Sequence, residues 1–195
     1  GSNNIINMIL NTNEAPFDDI RVRQAISEAI NRQDILDLGN ETGFVGTGTK
    51  PGGPWEIPLA WRDQLIGYGP DMDVRIANAK ELLASYEAEN GEIDWGNIPL
   101  NCVSNILFSC QTSQIVQQML KEIDVDVTLN PLLLTAYREQ EVAGFALMGV
   151  LGAAYDFDDP IDVFGQSYIT NGGRWYHRQS VAEIGQSDGG REVRH

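Results

Sequence analysis

From one end to the other, short apolar runs alternate with segments whose apolar residues recur at helical spacing, and that alternation restricts what this chain can fold into. The run Asn4 to Asn11 holds Ile5, Ile6, Met8, Ile9 and Leu10, the pattern of a strand buried on both faces and expected at the centre of a sheet. Val22, Ala25, Ile26, Ala29 and Ile30 then fall on one helix face behind the acidic pair Asp18-Asp19. A second helix is predicted from Asp73, with Ile76, Ala79, Leu82, Leu83 and Tyr86 as its stripe and Asn90-Gly91 as its stop. Ile98, Leu100 and Cys102 alternate as in a strand, and Ile115, Val116, Met119, Leu120 and Ile123 return to helical spacing. Val125, Val127 and Leu129 predict another strand, Tyr137 to Val142 a short helix, and Phe145 to Leu151 an inner strand. Strands interleaved with helices in this order predict an α/β fold, a mixed and largely parallel sheet flanked by helices.

Between Gly39 and Gly69 the periodicity lapses into glycine, proline and turn residues, so a long irregular loop is expected, with Trp55 and Trp61 packing it into order. Its stretch Gly46-Thr-Gly-Thr-Lys-Pro-Gly-Gly53 lacks the Gly-Lys-Ser/Thr ending of a phosphate loop, and a rigid surface loop accounts better for the glycines. The formal charge of −15 opposes binding to nucleic acid or to anionic membranes. No apolar run approaches the roughly 20 residues that a spanning helix needs. Gly1-Ser2 reads as a cleavage scar, which leaves residues 3–195 as a single α/β lobe.

Material for catalysis is thin. His177 and His195 are the only histidines, and no Gly-x-Ser-x-Gly occurs, so a metal centre or a hydrolytic triad lacks its parts and no enzyme activity is expected. Cys102 and Cys110 match neither a redox nor a zinc spacing and are expected to be small buried hydrophobes rather than a disulfide. The best candidate site is the acidic cluster Asp156, Asp158, Asp159 and Asp162, which follows the predicted inner strand, because ligands of open α/β sheets sit beyond the carboxyl ends of strands. Asp158 and Asp159 suit the cap of a helix starting near Pro160, and Asp162 suits a solvated position. Asp156, between Tyr155 and Phe157, is the carboxylate those rings would partly desolvate, and a ligand cation would satisfy it. The cluster lacks the spacing of a calcium loop, and no cofactor is expected.

The run from Asn11 to Arg32, NTNEAPFDDIRVRQAISEAINR, resembles the segment by which family 5 extracellular solute-binding proteins enter their second lobe. Ala79-Lys-Glu-Leu-Leu-Ala84 is similar to a helix of that family. Gly152-Ala-Ala-Tyr-Asp-Phe-Asp-Asp-Pro160 is similar to its Gly-Trp-x-x-Asp-Tyr-x-Asp/Glu-Pro stretch. The resemblance implies one lobe of a two-lobed periplasmic-binding-protein-like fold, the substrate-binding component of an ABC importer. Such a receptor closes on an oligopeptide, metal complex or similar solute and delivers it to a membrane permease. It further implies a companion N-terminal lobe, a periplasmic or extracellular location and a membrane anchor in the full-length protein. In peptide-binding relatives the acid matching Asp156 receives the ligand's α-amino group. Ala153 departs from the family pattern, which commonly has Trp there, and this puts peptide specificity in doubt unless Tyr155 refills the space. The alternative is a solute-sensing lobe of a regulatory or signalling protein.

Overall fold

Two of the three strand pairings are parallel, which requires helical crossovers, and the computed structural model shows them. It describes residues 4–38, 43–47, 53–143, 148–154 and 165–168. Four strands, β1 (Asn4–Leu10), β2 (Pro99–Val103), β3 (Thr128–Leu132) and β4 (Met148–Ala154), form one mixed sheet in the order β1-β4-β2-β3. β4 runs parallel to β2 with Gly149 opposite Asn101, and β2 runs parallel to β3 with Val103 opposite Leu132. β1 is antiparallel to β4, Ile5 facing Ala153. As expected from its composition, β4 is an inner strand.

β1 corrects the expectation. Among the described residues it lies at the edge of the sheet, and Ile6 to Leu10 are only partly buried. An apolar run reports cover over a strand's faces, and that cover does not need a neighbour on both edges. β3 starts later than its alternation suggested: Val125 and Val127 are buried in the approach to the strand, and the exposed Pro131 fits an edge position, where a missing N–H costs no ladder bond.

The helices follow from their caps and stripes. In α1 (Ile20–Ala29), Asp19 accepts the Arg21 N–H at 2.7 Å, and Val22, Ala25, Ile26 and Ala29 are buried. The next helix, α2 (Arg32–Leu38), begins where Asn31 Oδ1 accepts the N–H groups of Gln33 and Asp34. A single turn, α3 (Leu59–Arg62), lies between α2 and α4 in sequence. Asp71 caps α4 (Met72–Asn90), and Gly91, at φ 87°, ends it in a conformation that disfavours a side chain. α5 (Leu107–Lys121) joins β2 to β3, and α6 (Leu134–Ala143) joins β3 to β4.

Alternation along β2 shows how the strand comes to be buried on both faces. Leu100 packs in the main core with Val116 and Leu120 of α5, and Cys102 is bonded to Cys110 of α5, so the even-numbered side chains face that helix. Val103 packs with Tyr137 of α6, and Asn101 donates to Gln140 of α6 at 3.1 Å, so the odd-numbered ones face the other. Asn101 also accepts from Asn130 at 2.8 Å, which satisfies its buried amide between two strands and a helix. On that same face Gly149 makes room for α6, since a Cβ there would run into the Tyr137 hydroxyl. The tryptophans differ from expectation: Trp55 and Trp61 are 55% and 67% exposed, so they do not pack the segment around them.

Candidate functional site

β4, β2 and β3 are parallel, so their carboxyl ends, at Ala154, Val103 and Leu132, open onto one edge of the sheet. The turn from β2 into α5 lies on that edge. Ser104 and Asn105 are exposed, and Leu133, just past β3, is 61% exposed. The turn is nevertheless tied to each neighbour. The Ser104 N–H and hydroxyl donate to the Leu132 carbonyl at 2.7 and 3.1 Å. Asn105 Oδ1 accepts the Leu134 N–H at 3.2 Å. Ser109, buried in the first turn of α5, accepts the Val103 N–H at 2.8 Å and donates to the Val150 carbonyl at 2.7 Å, bridging β2 and β4. Cys102 and Cys110 form a disulfide from the end of β2 to α5, which corrects the expectation of two separate thiols. The i, i+8 spacing joined them because a three-residue turn folds the helix back over the strand it leaves. Ser104 and Asn105 give the turn uncharged hydrogen-bonding groups beside the exposed Leu133.

Of the residues singled out from sequence, Ala153 stands on β4 at this edge, opposite Ile5. Tyr155, Asp156 and Phe157 lie outside the described residues, as do Asp158, Asp159, Asp162, His177 and His195. Sequence reasoning missed Ser104, Asn105, Ser109 and Leu133. Nothing in their spacing marks them, because strand register alone brings them together.

Ionisable groups with shifted titration belong instead to the packing of α1 on α4. Arg75 is buried, donating to the Ile30 carbonyl at 2.7 Å and pairing with Glu28 at 3.3 Å. Arg32 stacks over Tyr68, 4.2 Å from the ring centre, and donates to the Gly67 carbonyl and to Ser27 Oγ. Desolvation draws both guanidinium pKa values down, and both satisfy carbonyls at the carboxyl end of α1, which carries no basic residue in its own last turn. At the other end the Arg21 guanidinium holds Asp19 below the usual carboxylate range, and Asp19 and Glu89 raise Arg21. Burial lifts the Tyr86 hydroxyl. These shifts describe structural caps. A shallow, open depression at Pro70–Asp73 is lined by one run of chain and shares no residue with the strand ends.

Among the described residues no group of three or more His, Cys, Asp or Glu side chains could hold a metal ion. No described helix is long and apolar enough to cross a membrane.

Comparison with known proteins converges on one family. Residues 1–175 match the family model of the middle part of bacterial extracellular solute-binding proteins, family 5. The chain is 30% identical over 177 residues to heme-binding protein A of Haemophilus influenzae, covering 86% of this chain and 30% of that protein. Among solved structures, an AppA protein from Clostridium difficile aligns over 95% of this chain and 37% of its own, with a TM-score of 0.74 at 19% identity. The oligopeptide-binding protein AppA from Bacillus subtilis, in complex with a nonapeptide, aligns over 95% and 38%, with a TM-score of 0.69 at 21% identity. The chain thus spans about a third of the length of these proteins. At such identities the structures show the fold, a mixed sheet flanked by helices of the periplasmic-binding-protein kind.

Proposed function

Because the chain belongs to the bacterial extracellular solute-binding proteins of family 5, whose members are transport receptors rather than enzymes, we propose that it is one lobe of an ABC importer's receptor. In this reading a companion lobe, N-terminal in the longer protein, closes over the carboxyl edge of the sheet. The closed receptor passes a peptide-like or metal-complex solute to a membrane permease. The observation that carries the reading is the inner strand β4, whose carboxyl end opens beside the β2–α5 turn and leads directly into Tyr155-Asp156-Phe157. We assign Asp156 as the anchor for a cationic group of the solute, with Tyr155 and Phe157 as flanking rings and the small Ala153 leaving room beside them. The family lives outside the cytoplasm, and the Cys102–Cys110 disulfide supports an oxidising compartment for this chain. A membrane anchor on the full-length protein completes the proposal.

Two solute classes are suggested by the relatives: oligopeptides, as in the Bacillus subtilis complex, and heme, as in the Haemophilus influenzae protein's name. Calorimetric titration of the full-length protein with trialanine and with haemin separates them. For a cationic solute, Asp156→Asn should weaken binding by roughly 30-fold or more, because removing one partner of a desolvated charge pair leaves the other buried and unpaired. Asp158→Asn should change affinity little, since Asn fills a capping role equally well. Equal, small losses in both variants would overturn the assignment of Asp156.

A further inference from the structure

The β2–α5 turn combines exposure with restraint in a way that the stability of the core does not require. Ser104 and Asn105 face solvent, yet within a few residues the chain is fixed by a disulfide, by the double hydrogen bond of Ser109, and by the bonds of Ser104 to Leu132 at the end of β3 and of Asn105 to Leu134. None of these residues belongs to the main hydrophobic cluster around Leu100, Val116 and Leu120. A cross-link between residues eight apart encloses a short loop, the kind that restricts an unfolded chain least, so global stabilisation is its weakest effect. Its strongest effect is local, since it clamps the end of β2 to the first turn of α5 and holds the backbone between them.

We propose that Cys102 and Cys110 are a positioning pair. Their disulfide presets the turn Ser104–Ile106 at the carboxyl edge, so that solute binds without first having to order it. The inference rests on the reading of that edge as the solute site. A preset loop binds more tightly because the cost of ordering it is met in folding. The turn offers neutral polar groups next to the exposed Leu133, a surface suited to the amide backbone and apolar side chains of a peptide. Reduction by a dithiol delivers two electrons and two protons to the Cys102–Cys110 bond, yielding two thiols and converting the dithiol to its own disulfide. The edge then keeps its residues and hydrogen bonds but loses the covalent clamp on the turn.

The test uses the full-length protein in three forms: oxidised, reduced, and carrying Cys102→Ser with Cys110→Ser. Each is titrated with trialanine and with haemin at a temperature where far-UV circular dichroism shows it folded, and amide hydrogen exchange is followed at residues 103–109. Affinity for the bound probe should fall about tenfold in the reduced and substituted forms, the scale on which ordering a short loop costs binding. Exchange at Val103 to Ser109 should quicken, and reoxidation of the reduced wild type should restore affinity. Equal affinity in all three forms would overturn the proposal and leave the disulfide as a structural cross-link. Loss of folded signal on reduction would also overturn it, because the pair would then carry the fold itself. Failure of the oxidised protein to bind either probe would remove the solute reading and this inference with it.

Discussion

The α1–α4 pair and the described residues between Phe44 and Tyr68 treat apolar and charged residues in opposite ways. On α4, Arg75 is only 6% exposed, whereas in that stretch Leu59 is 60% exposed and Trp61 67%. Position therefore outweighs residue type. Arg75 falls on the stripe with Ala79, Leu83 and Tyr86 that faces α1, and the carbonyls at the end of α1 complete its hydrogen bonds. Leu59 and Trp61 sit on a single helical turn, too short to present an apolar stripe to anything. The stretch is instead held by polar contacts: Arg32 over Tyr68, the Tyr68 hydroxyl donating to the Gly46 carbonyl at 3.0 Å, and Ser27 donating to the Ile66 carbonyl.

The comparison breaks most sharply at Arg75. Arg75→Met keeps the bulk but leaves Glu28 and the α1 carbonyls without their buried donor, and should lower unfolding free energy by about 3 kcal/mol in urea titration. An unchanged midpoint would mean that α1 is held to α4 by its apolar stripe alone.

Asp19 gives a smaller effect with a pH signature. Asp19→Ala should cost about 1 kcal/mol near pH 7, the usual worth of an N-cap. The Arg21 guanidinium lowers the folded pKa of Asp19, so its ionic contribution is full above the unfolded carboxylate value of about 3.9 and is lost as pH falls through the lowered folded value. Unfolding curves of wild type and variant should therefore converge as acidification passes below the ordinary carboxylate range. A gap that stays constant would assign the cap to hydrogen bonding alone.

The smallest effect is expected where sequence suggested the most. Replacing Trp55 and Trp61 together by Ala should shift stability by no more than about 0.5 kcal/mol each, the range of exposed positions. A loss several times larger, with quenched fluorescence in the native wild type, would show that the two rings pack after all and would erase the contrast between the regions.

Local pattern determined a good deal by itself. The stripes of α1 and α4, the acidic cap of α1, the Gly91 stop of α4, the helical spacing of α5, the inner character of β4 and the α/β class were all legible, because each reports on side chains within one or two turns of chain. So was the family, through the run Asn11 to Arg32, with which the match over residues 1–175 agrees. What only the tertiary structure decided depends on partners distant in sequence. The edge position of β1, the two-sided burial of β2 with Asn101 satisfied by Asn130 and Gln140, and the meeting of Cys102 with Cys110 all follow from which strand lies beside which and which helix covers each face. The tethers of the β2–α5 turn have the same origin, since Ser109 reaches Val150 across 41 residues of sequence and Ser104 reaches Leu132 across 28. Hydrophobic spacing records how much of a residue is covered, whereas strand register and helix crossover choose what covers it, and the candidate site is made by that choice.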